Sequence, residues 1–244
     1  MSPREWDAAT YDAVAAPMTL RGTDALERLV LNGGETVVDA GCGTGRVTER
    51  LLELLPGGRV VAVDASVQML SVARERLGAD PRVSFVQADL AAPLPLEEPV
   101  DAIVSTSTFH WVPDHDALWL HLAAVLRPGG QLVVDCGGAG NVASILAILE
   151  GLGFPDHPWT YASPEETAVR LRSAGFDPVE TWESLRPTFL ERSELRTYLA
   201  TVVLGAHVAE LGEERGAKLV RDVAERMEEP LIDYVRLNVD ARRA

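Results

Sequence analysis

The chain holds a single lysine, Lys218, against 37 acidic residues, and its formal net charge is −15. Broad nucleic-acid binding needs clustered Lys and Arg to neutralise phosphates, so no nucleic-acid partner is expected. The same charge disfavours adsorption to an anionic membrane surface. Cations in any site must therefore be arginine or histidine. Cysteine is scarce too. Cys42 and Cys136 cannot build a disulfide framework, and both read as small buried hydrophobes at strand-to-loop positions. No spacing of His and Cys suggests a metal. No apolar run approaches a membrane-spanning length. The opening Met-Ser-Pro-Arg-Glu-Trp-Asp lacks the apolar core of a signal peptide, so the expected location is cytoplasmic. There is no internal repeat and no low-complexity linker. With 244 residues, 47% hydrophobic and 24% charged, the chain can bury a sizeable core as one domain, 1–244.

Glycine is plentiful at one informative place. Residues 36–46 read Thr-Val-Val-Asp-Ala-Gly-Cys-Gly-Thr-Gly-Arg. Val37 and Val38 are β-branched and apolar, as in a buried parallel strand. Gly41, Gly43 and Gly45 alternate across a sharp turn, and residues 46–55 resume with helical periodicity. Strand, glycine-rich turn and helix together place a nucleotide-like ligand over a helix N-terminus. The spacing G-x-G-x-G differs from the dinucleotide pattern G-x-G-x-x-G. Asp39, just before the first glycine, would repel a pyrophosphate and hold an ammonium group. Asp64, with Ala65 beside it, ends the next hydrophobic run and suits the hydroxyls of a ribose. An ammonium and a ribose without a phosphate describe S-adenosylmethionine.

Asp39-Ala-Gly-Cys-Gly-Thr-Gly45, followed by Asp64-Ala-Ser-Val-Gln-Met-Leu70, resembles the class I S-adenosylmethionine-dependent methyltransferases. The resemblance implies an α/β, Rossmann-like fold: a seven-stranded, mostly parallel sheet with an antiparallel last strand, helices on both faces and a helical cap. It implies that Asp89 meets the adenine amine, with Leu90 against the ring and Met69 near its face. Ser105 or Thr106 is expected to meet the amino-acid end of the cofactor through its backbone; the spent form of that cofactor is S-adenosylhomocysteine. Phe109-His110-Trp111-Val112-Pro113-Asp114, after the fourth strand, looks like trans-aconitate methyltransferase and related carboxylate O-methyltransferases of small molecules. Residues 1–20, with Trp6 and Tyr11, resemble a segment that covers the cofactor in such enzymes.

From these residues we expect transfer of a methyl group to a small molecule, through O-methylation of a carboxylic acid. C- or N-methylation of a specialised metabolite and a non-catalytic cofactor-binding role remain open. His110, Trp111 and Tyr11 are the candidates around the methyl. His110 would orient a carboxylate, or act as base toward a hydroxyl, amine or acidic carbon. A tricarboxylate calls for several basic side chains, yet residues 105–163 carry one arginine, Arg127, among apolar and aromatic residues. The expected state is a monomer or homodimer. Helices are expected over 20–31, 67–77, 142–149, 191–204 and 213–228. Strands are expected over 83–87, 100–105, 131–136 and 177–185, with a last one at 234–241. Residues 137–163 and 190–229 read as insertions or cap.

Overall fold

In the computed structural model, residues 7–14 and 24–244 are described. Trp6, read as part of the segment that covers the cofactor, lies outside them. The chain runs α1 (Ala8–Val14), β1 (Thr36–Ala40), α2 (Arg46–Leu54), β2 (Arg59–Asp64), α3 (Val67–Leu77), β3 (Val83–Gln87) and β4 (Val100–Thr106). A 3-10 turn, Phe109–Trp111, leads to α4 (His115–Val125) and β5 (Leu126–Gly137). Then come α5 (Ala143–Gly151), α6 (Pro164–Ser173), β6 (Phe176–Leu185), β7 (Thr188–Phe189) and α7 (Arg192–Tyr198). A π turn (Leu199–Val203), α8 (Gly205–Leu211), α9 (Glu213–Arg226), β8 (Leu231–Ile232) and β9 (Val235–Arg243) close the chain.

Seven strands form one sheet in the order β3-β2-β1-β4-β5-β9-β6. β1 to β5 are parallel, and β9 runs antiparallel between β5 and β6. The β-branched runs make the centre: Val37, Val38, Ile103, Val104 and Val134 are wholly buried. Each such side chain contributes about 1.5–3 kcal/mol relative to exposure. Strand order reverses between β1 and β4, which opens a crevice at their carboxyl ends.

A second hydrophobic cluster lies apart from the sheet's core. It joins α5, α7, the π turn, α9 and β8 through Ile145, Leu195, Leu199, Leu219, Val223 and Ile232. Here the structure departs from the periodicity. The helix expected over 191–204 ends at Tyr198 and passes into the π turn, closed by Leu204 N–H donating to Leu199 O at 2.6 Å. Its β-branched Thr201, Val202 and Val203 suit a regular helix poorly. The strand expected over 131–136 starts earlier: residues 126–130 are taken into β5, whose Leu126 pairs with Val100 ahead of an irregularity in the ladder. Of the helix expected over 20–31, the described part is helical only at 24–26.

Candidate active site

The crevice is a cavity of about 520 Å³. Its floor is the glycine-rich turn, in which the three glycines do different things. A Cβ on Gly41 would collide with the Thr108 side chain, which caps the turn from β4. Gly45 packs against α3, and its Cβ would sit 3.2 Å from both Ala73 and Leu77. Only Gly43 opens on free space, with φ +53 and nothing within 4 Å of a Cβ. Its N–H donates to Asp64 Oδ2 at 2.9 Å, while Ser66 N–H donates to Oδ1 at 2.9 Å. Asp64 is thus aimed by two backbone amides. Ala65, Met69, Asp89 and Leu90 complete this half of the wall.

Three residues expected at the ligand stand behind that wall. Asp39 is wholly buried and points to α2, where Thr48 Oγ1 donates to its Oδ2 at 2.6 Å. Its Oδ1 has no hydrogen-bond partner among the described residues. Burial first, and the nearby Asp64 charge, push its pKa up to about 7 against the bond from Thr48. Gly45 serves the packing of α2 on α3. Ser105 donates its hydroxyl to Ala40 O at 2.6 Å, stitching β4 to β1. None of the three lines the cavity.

α1 crosses the turn, and an ion network holds it there. Asp12 accepts from Arg46 Nε at 2.7 Å, Arg76 Nη2 at 2.9 Å and Thr44 Oγ1 at 2.6 Å. Burial would raise the Asp12 pKa, but the bonds from Arg46 and Thr44 and the Arg76 charge outweigh it and hold it low. Tyr11 consequently lines the cavity.

The opposite half begins where β4 ends. Ser107 turns with φ +55, and the 3-10 turn follows. Phe109 is buried edge-on to Trp119, and its carbonyl lies 3.1 Å from His115 Nε2. The neighbouring His110 and Trp111 line the cavity. Gly137 N–H donates to His110 Nδ1 at 3.2 Å. That amide can only donate, so Nδ1 carries no proton and the neutral ring bears its hydrogen on Nε2. Burial, and next the Arg236 charge, hold the His110 pKa well below the ordinary 6.5. The insertion folds over this half: Thr160 N–H donates to His110 O at 2.8 Å. Trp159 sits edge-on to Trp111 and stacks on Tyr161, which stacks on His110.

Arg236 was not found in the sequence. It sits at an outward-reading position of β9 yet is 2% exposed and lines the cavity, its guanidinium paired with buried Asp135. Sequence reasoning counted cations only over 105–163, whereas the partner strands are joined across 101 residues. The available signal was an acid near the end of β5, Asp135, and an arginine, Arg236, near the start of the strand that pairs with it. Val202, Val203, Ala206 and Ala209, from the π turn and α8, also line the cavity. Among the described residues no His/Cys/Asp/Glu group could hold a metal ion, and no helix is long and apolar enough to cross a membrane.

A parallel sheet of this order, with a glycine-rich turn beneath a ribose-type carboxylate, defines an α/β enzyme fold that holds a nucleoside-bearing cofactor at its switch point. A family model described as a methyltransferase domain matches residues 37–130. The trans-aconitate 2-methyltransferase of Azoarcus sp. is 43% identical over 130 residues, covering 53% of this chain and 50% of that one. The trans-aconitate 2-methyltransferase of Methylobacterium nodulans is 35% identical over 178 residues, covering 73% and 67%. The match thus spans half of the first relative's length. The fold is that of Haemonchus contortus phosphoethanolamine N-methyltransferase 2, solved with phosphomonomethylethanolamine and S-adenosylhomocysteine: TM-score 0.68, 19% identity, 97% of this chain and 56% of that one. The chain belongs to the class I S-adenosylmethionine-dependent methyltransferases. The site fits that cofactor. Asp64 and Asp89 offer acceptors for hydroxyl and amine hydrogens, Met69 and Leu90 offer apolar surface for a flat ring, and Gly43 leaves room for close backbone approach.

Proposed function

We propose that this enzyme methylates a carboxylate oxygen of a small organic acid. The observation that carries the proposal is the state of His110. With Nδ1 engaged by Gly137 N–H, the ring offers the cavity a donor and keeps no basic lone pair for a proton. A hydroxyl or ammonium acceptor needs a base in this place; a carboxylate is already ionised at neutral pH. When bound, S-adenosylmethionine supplies an electrophilic methyl whose C–S bond breaks as the O–C bond forms, leaving a neutral thioether and no proton to remove. The chain's part is to orient the acid and keep water out, which is where such acceleration arises.

In this reading Asp64 holds the ribose, Asp89 and Leu90 the adenine, and Gly41 and Gly43 the amino-acid end. Asp39 acts from behind the turn. Tyr11 closes one side of the methyl, with Trp111 and His110 on the other. The relatives named for trans-aconitate, a carboxylic acid, support the acceptor class. The test is transfer of labelled methyl from S-adenosylmethionine to a panel of acids, phenols and amines. A base-labile product, formed only with acids, is the expected result. A base-stable product from an amine or phenol, with none from any acid, overturns the proposal.

A further inference from the structure

The acceptor half of the cavity carries a more specific message than the class of the reaction. Gly137 is its pivot. Its N–H holds His110 Nδ1. On the neighbouring strand its register partner is Arg236. Both side chains line the cavity, so Gly137 links two hydrogen-bond donors that meet it at the end of β5. Arg236 is tightly placed: Nε donates to Asp135 Oδ1 at 2.8 Å, and Nη2 donates to Ser107 Oγ at 2.9 Å as well as to Asp135. Its Nη1 has no partner among the described residues.

Buried Asp135 cancels the Arg236 charge. The donor end accordingly receives an anion through directed hydrogen bonds and holds no surplus positive charge for a second or third one. Beyond it the wall is mainly apolar, with Val142, Trp159, Val202, Val203 and Ala206; its polar groups, Asn141, Tyr161 and Tyr234, are neutral, and among the described residues no second lysine or arginine lines it. At the far side of the same cavity stand the carboxylates of Asp64 and Asp89. A further carboxylate on the substrate would find no second cation: it would lie against apolar side chains or neutral donors, where an unpaired charge is costly, or toward like charge.

Resting on the carboxylate reading above, we propose that the acceptor is an acid with one carboxylate and an apolar body. Arg236 Nη1 and His110 Nε2 hold the carboxylate, and Trp159 with Val202 and Val203 receives the body. This chain thus departs in substrate from the relatives named for trans-aconitate.

The test is esterification of octanoate, cinnamate and phenylacetate against trans-aconitate and citrate, with S-adenosylmethionine as donor. The best monocarboxylate should exceed trans-aconitate in kcat/KM by about 100-fold. Preference for trans-aconitate overturns this inference and leaves the carboxylate reading intact. No ester from any acid, despite binding of S-adenosylhomocysteine, overturns both. Two variants add independent readouts. Arg236→Lys keeps a cation opposite Asp135 but loses the guanidinium fork, and should raise KM for octanoate about 10-fold or more while leaving S-adenosylhomocysteine affinity unchanged. Ala206→Leu fills the apolar wall, and should penalise octanoate by about 10-fold relative to a short acid such as propionate. An unchanged KM for octanoate in Arg236→Lys, or an unchanged ratio of octanoate to propionate in Ala206→Leu, overturns the assignment.

Discussion

If His110 works as a donor and not as a base, turnover should be insensitive to pH where a base would titrate. The pair of variants that tests this is His110→Asn and His110→Ala. Asparagine can still accept the Gly137 N–H through its amide oxygen, at the place Nδ1 now occupies, but loses the reach of Nε2. Alanine loses both. An unsatisfied Gly137 N–H costs about 1–3 kcal/mol, which a domain of ordinary stability survives. Loss of the Nε2–H bond to a carboxylate, a hydrogen bond to a charged group, is worth about 1.5–3 kcal/mol, or roughly 10- to 100-fold in kcat/KM. The assay is initial rate of ester formation from pH 6 to pH 9 at saturating donor. Wild type should be flat over that range, because the His110 pKa lies well below 6.5 in the fold and the ring stays neutral. Both variants should be slower by a similar factor and equally flat. A wild-type rate that rises through a pKa between about 6 and 8, and loses that rise in His110→Asn, refutes the donor assignment and restores the base. Stability offers a cross-check with its own sign. The unfolded chain protonates His110 below 6.5 while the folded chain resists it, so the wild type should lose stability as pH falls through 6.5. His110→Asn should lose less.

Three further perturbations probe the rest of the cavity. Asp64→Ala removes the acceptor aimed by Gly43 and Ser66, and should raise the Kd of S-adenosylhomocysteine about 100-fold by calorimetry; an unchanged Kd removes Asp64 from the site. Asp12→Ala breaks the bonds to Arg46, Arg76 and Thr44, and should speed hydrogen exchange in α1 and lower turnover about 10-fold. Because the Asp12 pKa is held below 3.8, the same anchoring should persist above that pH and fail in more acid solution; unchanged exchange in the variant refutes the network's role. Gly137→Ala places a Cβ 2.7 Å from the Tyr161 ring and 3.0 Å from Asn141 Nδ2, an overpacking worth about 1–3 kcal/mol. It should raise KM for the acid and leave S-adenosylhomocysteine affinity unchanged, and the reverse pattern counts against the placement of the acceptor.

The donor half of the cavity was legible because its information is local. A glycine-rich turn, its preceding strand and its following helix lie within one βαβ unit, and Asp64 and Asp89 each follow the strand that carries them. Even there the residues divide in a way spacing alone does not reveal. Gly41 makes way for the Thr108 side chain just beyond β4, and Gly45 for α3, so of the three only Gly43 opens on free space. Asp39 turns inward to Thr48 because side chains alternate along β1. The π turn was invisible for a related reason: periodicity reports a helix but not where a helix admits one extra residue per turn.

The sequence by itself determined the sheet, the turn and the cofactor, since each rests on patterns a few residues long. Tertiary structure alone decided the acceptor end. The hydrogen on His110 is set by an amide 27 residues away, and the buried arginine by an aspartate 101 residues away. Such pairs arise only when β9 inserts antiparallel beside β5, a pairing that carries no local signal in either strand. Folding thus joins a donor site written in short motifs to an acceptor site assembled from distant, individually unremarkable residues.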